Sequence, residues 1–333
     1  MGFLREVSCE FVDKIFHPAF AELTLTEVIF IPEVFARAVV ELHGAEGERW
    51  LRRLHATVAE CAARWSLRVG PPLTPLYQNY IATATRADGA SVILKLGPPV
   101  RELLTEIEAL RIFDGGGCVR LLEADAGLGA LLLERLEPGT QLAALCERDD
   151  ALATAAASSV MRRLWRPAPL GHTLPTVADW GRGFQRLRAR FGPGAGPFPS
   201  KLVDEAETLF AELTRSMSEP VLLHGDLHHF NILAAAREPW LAVDPKGVVG
   251  ESAYEVGALL RNPWPQLLTW PQLRRVQARR VEQLAEELGF DKQRLRGWAF
   301  AQAVLSAWWS FEDTGKDWEH GVAVAESLAA IAI

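Results

Sequence analysis

The stretch His224-Gly225-Asp226-Leu227-His228-His229-Phe230-Asn231, continued after a short gap by Leu241-Ala242-Val243-Asp244, decides how the rest of this chain is read. Residues 221–223, 232–233 and 240–243 read as short buried strands. The polar residues therefore fall at strand ends and in the connecting loop, where a scaffold can aim them. The stretch supplies an aspartate, then an asparagine, then a second aspartate closing an apolar strand. Phosphoryl transfer from a nucleotide calls for those three groups. One carboxylate orients and deprotonates the attacking hydroxyl, while an amide oxygen and a further carboxylate hold the divalent ions that neutralise the phosphates. Asp226 is thus the candidate base, and Asn231 and Asp244 are candidate magnesium ligands, magnesium preferring hard oxygen donors.

Two other readings of the loop compete. His224, Asp226, His228 and His229 carry groups that ligate zinc. A plain polar turn between strands is the other, with Asp226 bonded to its own backbone. The second aspartate on its own strand, with Asn231 between, separates the readings. A mononuclear zinc site needs neither residue, and a magnesium–nucleotide site needs both.

Joined to Trp240-Leu241-Ala242-Val243-Asp244-Pro245-Lys246-Gly247-Val248-Val249-Gly250-Glu251, the run resembles the catalytic region of the aminoglycoside phosphotransferases, antibiotic kinases with a protein-kinase-like fold. Within them it is most similar to the streptomycin 6-kinase group, the aminoglycoside/hydroxyurea resistance kinases. The likeness runs from about residue 31 to the C-terminus, strongest over 220–262 and moderate over 90–140. Residues 1–30 carry no match. The resemblance implies an α+β, two-lobed fold, with an antiparallel sheet and helices in the N-lobe and a mostly helical C-lobe. It implies ATP and Mg2+ as cofactors and a small cationic antibiotic or amino sugar as acceptor, foremost streptomycin at its 6-hydroxyl. A metabolic sugar or amino-alcohol kinase, or a non-catalytic nucleotide-binding relative, would share the scaffold.

Bulk properties bound the remaining choices. A chain of 333 residues is long for one core, so two lobes are the prior. The net charge of -7 argues against a nucleic-acid partner and suits a cationic small substrate. Cys9, Cys61, Cys118 and Cys146 are scattered without a C-x-x-C pair and read as reduced thiols of a cytoplasmic protein. No apolar stretch has membrane-spanning length, and no signal peptide or myristoylation motif is evident. A monomer is expected.

Along the chain, residues 1–30 read as an extension of unknown role. Pro32-Glu33 opens a helix that the His43–Gly47 segment breaks, and a second helix carries Trp50, Leu54, Val58 and Cys61 on one face. Strands are expected at 66–69, 76–85 and 91–96, then a helix at 102–113, then strands at 119–123 and 130–136. Glu137-Pro138-Gly139 is the expected hinge between an N-lobe of 31–137 and a C-lobe of 138–333. Helices are expected beyond it at 151–165, 177–191, 200–216, 271–288 and 292–311.

Other candidate site residues follow. Lys95 lies within the apolar strand Val92-Ile93-Leu94-Lys95-Leu96, and a period of two allows it to face either way. The resemblance implies an inward Lys95 paired with Glu106, with Glu102 the next choice, orienting the nucleotide phosphates. It also implies that the backbone of Glu134, Arg135 and Leu136 meets adenine, and that Glu255 braces the catalytic loop. The loop Gly70-Pro71-Pro72-Leu73-Thr74-Pro75 is not a glycine-rich phosphate cradle, so the phosphate-covering element is unassigned. Lys246, two residues past Asp244, reads as a γ-phosphate contact, an acceptor contact or a solvated loop lysine. A cationic acceptor asks for carboxylates and aromatic faces. Trp308, Trp309, Glu312 and Asp313 fit that description, with His228 and His229 as further candidates and Glu251 either a further candidate or structural.

Overall fold

The computed structural model describes residues 31–332, so the expectation placed on residues 1–30 lies outside the described residues. Helix α1 spans Glu33–Arg64, with Pro32 at its cap and a kink at Gly44 (φ 55°), where the sequence places the break. Strands β1 (Leu67–Pro72), β2 (Tyr80–Arg86) and β3 (Ser91–Leu96) follow, then α2 (Arg101–Phe113), β4 (Leu121–Asp125) and β5 (Ala130–Glu134). They form one antiparallel sheet in the order β1-β2-β3-β5-β4. β2 alternates in burial, with Tyr80, Ala82 and Ala84 inward. The central strand β3 is buried on both faces, at Val92, Leu94, Lys95 and Leu96. β5 splits its leucines between the two faces: Leu131 and Leu133 join the main core with α2, and Leu132 joins a smaller cluster with Leu67, Ala84 and Val92.

Several expected boundaries move: β1 runs on to Pro72, and the strand expected at 119–123 lies at Leu121–Asp125. The strand expected from residue 76 begins at Tyr80, and the preceding stretch 73–79 is irregular. The expected hinge is itself a strand, β6 (Pro138–Gln141). It pairs antiparallel with β8 (Ile232–Ala235), so the lobes are joined by a hydrogen-bonded ribbon.

The second half is mostly helical: α3 (Leu142–Cys146), α4 (Asp150–Leu164), α5 (Val177–Phe191), α6 (Ser200–Arg215), α7 (Val256–Leu260), α8 (Leu273–Leu288), α9 (Lys292–Thr314) and α10 (Trp318–Ala329). Asp149 caps α4, Thr176 and Asp179 form a capping box on α5, and Asp291 caps α9. α10 is absent from the sequence expectation. Its Gly321 lies where a Cβ would come within 2.8 Å of the Ala303 carbonyl, so this helix-weakening residue is what permits close packing on α9.

Among these helices lie β7 (Val221–Leu223), β9 (Trp240–Ala242) and β10 (Val248–Gly250). β7 pairs with β10, setting Leu223 opposite Val248, and β8 pairs with β9, setting Ile232 opposite Ala242. The loop leaving β7 and the segment entering β10 are thereby neighbours. The residue before β8 and the residues after β9 also lie side by side, with Val243 N donating to Asn231 O at 2.9 Å.

Candidate active site

The strand register brings Asp226, Asn231 and Asp244 into one network. Asn231 Nδ2 donates to the Asp226 carbonyl at 3.0 Å, which leaves the amide oxygen of Asn231 as the outward acceptor. Asp226 receives Arg261 Nη2 at 2.9 Å on one carboxylate oxygen and lies 3.5 Å from His228 Nε2 on the other. Burial alone would raise the Asp226 carboxyl, but His228, Arg261 and Lys246 outweigh it and hold it well below the usual carboxylate range. Asp244 behaves alike: burial raises it, Lys95 and Lys246 more than reverse this, and it is lowered. Its backbone sits in the left-handed region at φ 62°, which aspartate tolerates better than bulkier residues and which aims the carboxylate off the strand end. An amide oxygen and an ionised carboxylate on adjacent segments form a hard donor set that fits magnesium.

Lys95 faces inward. It is 4% exposed, Nζ donates to Glu106 at 2.6 and 2.7 Å, and it also bonds to Asp244. Burial lowers Lys95, but Asp244 and Glu106 overcome this and leave it raised. Burial pushes the Glu106 carboxyl up to about 6 despite the opposing lysine. Glu102 is not its second partner. It bonds Lys246, whose Nζ also lies 3.7 Å from Asp244 Oδ2. Glu108 points away and accepts from Thr173. α2 thus holds two lysines with two glutamates one helical turn apart.

The loop itself is braced from below. Glu255, in the 3-10 turn Ser252–Glu255, is buried and accepts His224 N at 2.7 Å and Gly225 N at 2.9 Å. Burial pushes its carboxyl up to about 7, with those two amides opposing. His224 is buried, lowered to about 4 by that burial, and therefore neutral; Nε2 donates to Val243 O at 2.9 Å and Nδ1 accepts from Asp226 N. Gly225 has φ 85°, and a Cβ there would lie 2.7 Å from the Trp180 ring, so only glycine allows the turn.

The zinc reading fails on this geometry. His224 is occupied by backbone partners, and His229 is buried against Arg280. Among the described residues, the group of three close enough to hold a metal is Cys146, Asp150 and His229. Arg280 already fills it, with Nη2 2.6 Å from Asp150, 3.4 Å from Cys146 Sγ and 3.5 Å from His229 Nε2.

The expected acceptor residues separate. His228 stays beside Asp226, whereas the buried His229 does not open onto the cleft. Glu251 is 4% exposed and saturated by Arg294 (2.6 and 2.7 Å) and Trp298 Nε1 (2.7 Å), which makes it a framework residue. Trp308 is buried among Phe191, Phe198 and Phe311. Its neighbour Trp309 is half-buried and packs on Trp180 at 5.6 Å, the ring that borders Gly225. Glu312 is held by Arg186 at 2.6 and 2.8 Å. Asp313, near the end of α9, has its carboxyl raised by partial burial and by the Glu312 and Glu102 carboxylates. Glu134 receives Arg237 and Arg120 N, Arg135 bonds Ser91, and Leu136 packs on the core. Sequence reasoning named Trp309 beside Trp308 but missed Arg261, Arg237 and Trp180. Asp226–Arg261 and Glu134–Arg237 each join residues far apart in the chain, and no local pattern announces them.

An antiparallel five-stranded sheet joined through a β-ribbon to a helical half, with a buried Lys–Glu pair tying β3 of that sheet to α2, is the protein-kinase-like architecture. A thermostable mutant of the aminoglycoside phosphotransferase APH(4)-Ia, solved with ADP and hygromycin B, shares it at a TM-score of 0.56 and 16% identity, over 82% of this chain and 99% of that one. The family model described as aminoglycoside/hydroxyurea antibiotic resistance kinase matches residues 68–314. Streptomycin 6-kinase of Streptomyces glaucescens is 32% identical over 87% of this chain and 94% of its own. Hydroxyurea phosphotransferase of Kitasatospora aureofaciens is 35% identical over 90% and 86%. The chain belongs to the aminoglycoside/hydroxyurea antibiotic resistance kinase family and is a phosphotransferase acting on a hydroxyl group.

Proposed function

We propose that this protein moves the γ-phosphoryl group of ATP to the 6-hydroxyl of streptomycin, and that drug resistance is its role. The observation carrying the mechanism is the shared network of Asp226, Asn231 and Asp244 beside the buried Lys95–Glu106 pair. The acceptor oxygen bonds to the γ-phosphorus while the bond from that phosphorus to the bridging oxygen breaks, its electron pair leaving with ADP. The hydroxyl proton passes to the Asp226 carboxylate. A carboxylate held this far down is a weak base, so Asp226 orients the hydroxyl first and takes the proton late, as suits a loose transition state. Magnesium at Asn231 and Asp244 would neutralise the β- and γ-phosphates. Lys95, held by Glu106, orients the α- and β-phosphates, and the backbone of Glu134, Arg135 and Leu136 receives adenine.

Support for the acceptor comes from the streptomycin 6-kinases among the relatives. Asp313 offers a carboxylate, and the partly exposed Trp180 and Trp309 offer ring faces, to a guanidinium-bearing drug. Phosphate on the drug adds negative charge and bulk where its target meets a hydroxyl. Hydroxyurea is the second reading, carried by the 35% identity to its phosphotransferase. The buried, unpaired thiols of Cys61, Cys118 and Cys146 suit a reducing cytoplasm, and among the described residues no helix is long and apolar enough to cross a membrane.

The test is purified protein with Mg-ATP and a panel of streptomycin, hydroxyurea, a 2-deoxystreptamine drug, choline and a blank, read by product mass. Phosphorylated streptomycin is the expected product. Phosphorylated hydroxyurea alone would replace the acceptor, and phosphorylated choline alone would remove the resistance role.

A further inference from the structure

The end of β1 and the loop to β2 are poor in donors for a triphosphate. Pro71 and Pro72 in β1 and Pro75 in the loop lack N–H groups, Leu73 N already donates to Ile81 O, and the Leu73 and Tyr77 side chains are turned to solvent. The stabilisation that the N–H groups of a glycine-rich loop would give the phosphates then has to come from another part of the chain. We infer that Lys246 is that element: a catalytic cation that binds the γ-phosphate of the nucleotide and follows it through transfer, with Glu102 its resting partner. This rests on the phosphotransfer reading above and adds a residue to it.

Placement carries the inference. Lys246 N donates to the His224 carbonyl at 2.8 Å, which pins its backbone against the root of the catalytic loop. The next residue, Gly247, has φ 67° and lies so close to α2 that a Cβ would stand 2.9 Å from the Thr105 carbonyl. Between these anchors the ammonium lies 3.7 Å from Asp244 Oδ2, bonds to Glu102, and acts electrostatically on Asp226. A group passing from nucleotide to acceptor must travel between the metal ligand Asp244 and the base Asp226, so its equatorial oxygens come within reach of Lys246. Glu106 and Glu102, one turn apart on α2, hold Lys95 and Lys246 respectively. One helix thus presents two cations, Lys95 toward the α- and β-phosphates and Lys246 toward the γ-phosphate. The half-exposed Glu102 releases Lys246 more readily than the buried Glu106 releases Lys95. Lys246 stays protonated throughout; it neutralises charge and moves no proton.

The competing role is a latch, in which Lys246 only ties α2 to the β10 segment through Glu102. Calorimetric titration of ATP and ADP, each with Mg2+, separates the two in the unaltered protein and in Lys246→Met, Lys246→Arg and Glu102→Gln. Turnover with the best acceptor is measured alongside. The unaltered protein should bind ATP more tightly than ADP. Lys246→Met should lose that preference and about 10²–10³-fold in kcat. Lys246→Arg should keep the preference, and Glu102→Gln should keep or strengthen it with a smaller loss in kcat. Equal losses in Lys246→Met and Glu102→Gln, or an unchanged preference in Lys246→Met, would overturn the inference and leave the phosphotransfer reading standing. Failure of the unaltered protein to bind ATP would instead overturn that reading, and the inference with it.

Discussion

Replacing Glu255 by alanine separates two opposed effects of one buried carboxylate. The substitution takes the acceptor from two amides, His224 N at 2.7 Å and Gly225 N at 2.9 Å. An orphaned buried donor costs about 1–3 kcal/mol, so roughly 2–6 kcal/mol is the range before the loop relaxes or water enters. The opposing effect is ionisation. Burial pushes the carboxyl up to about 7, so the folded state binds its proton more tightly than the unfolded chain does. Stability contributed in this way is present at low pH and lost as pH rises from about 4 to about 7. Alanine has no such loss, so Glu255→Ala should cost about 2–4 kcal/mol at pH 5.5 and roughly 2 kcal/mol less at pH 8. Urea unfolding of both proteins at the two pH values measures this, with kinase turnover read in parallel and expected to fall sharply. A destabilisation equal at both pH values would refute the ionisation argument. One below about 0.5 kcal/mol at both would refute the brace.

Three further outcomes follow from the same geometry. Gly247→Ala forces a Cβ to 2.9 Å from both Thr105 O and Ala109 Cβ at φ 67°, and should lower the melting temperature and weaken ATP binding together, since α2 carries Glu106. Glu106, pushed up to about 6, should take up a proton and loosen Lys95 as pH falls through that value, giving kcat/KM for ATP an acid limb near pH 6 that Glu106→Gln lacks. Burial pushes the Cys61 thiol up to about 11 and Cys146 up to about 12, and raises Cys118 as well. Iodoacetamide at pH 8 should therefore leave all three unmodified by mass spectrometry until denaturant is added.

The catalytic loop was legible because its chemistry is written locally. Three short strands fix where Asp226, Asn231 and Asp244 can point, and the register of β8 on β9 joins them as the spacing implies. The orientation of Lys95 was not legible from period two, because β3 is buried on both faces and alternation carries no signal there. Lys246 was ambiguous because its partner, Glu102, lies in another lobe of the chain. Trp308 and Trp309 differ by one position on a helix buried nearly all round, so sequence offered no polar face to tell the core ring from the one nearer the catalytic loop. Glu251 stayed open between a structural role and a substrate contact because its partners Arg294 and Trp298 come from a distant helix. The membership in an α+β, kinase-like family rests on the legible part, and the proposed acceptor contacts rest on the part that only tertiary packing builds.

On the proposed mechanism, Asp226 receives the acceptor hydroxyl during phosphoryl transfer. The most direct test is single-turnover transfer from γ-labelled ATP to streptomycin by the unaltered protein and by Asp226→Asn, with ATP affinity and unfolding measured on the same samples. The asparagine side chain keeps the size of the aspartate and removes the proton acceptor, so transfer should slow by about 10²–10⁴-fold while ATP affinity and stability change little. Transfer within about threefold of the unaltered rate would contradict the assignment.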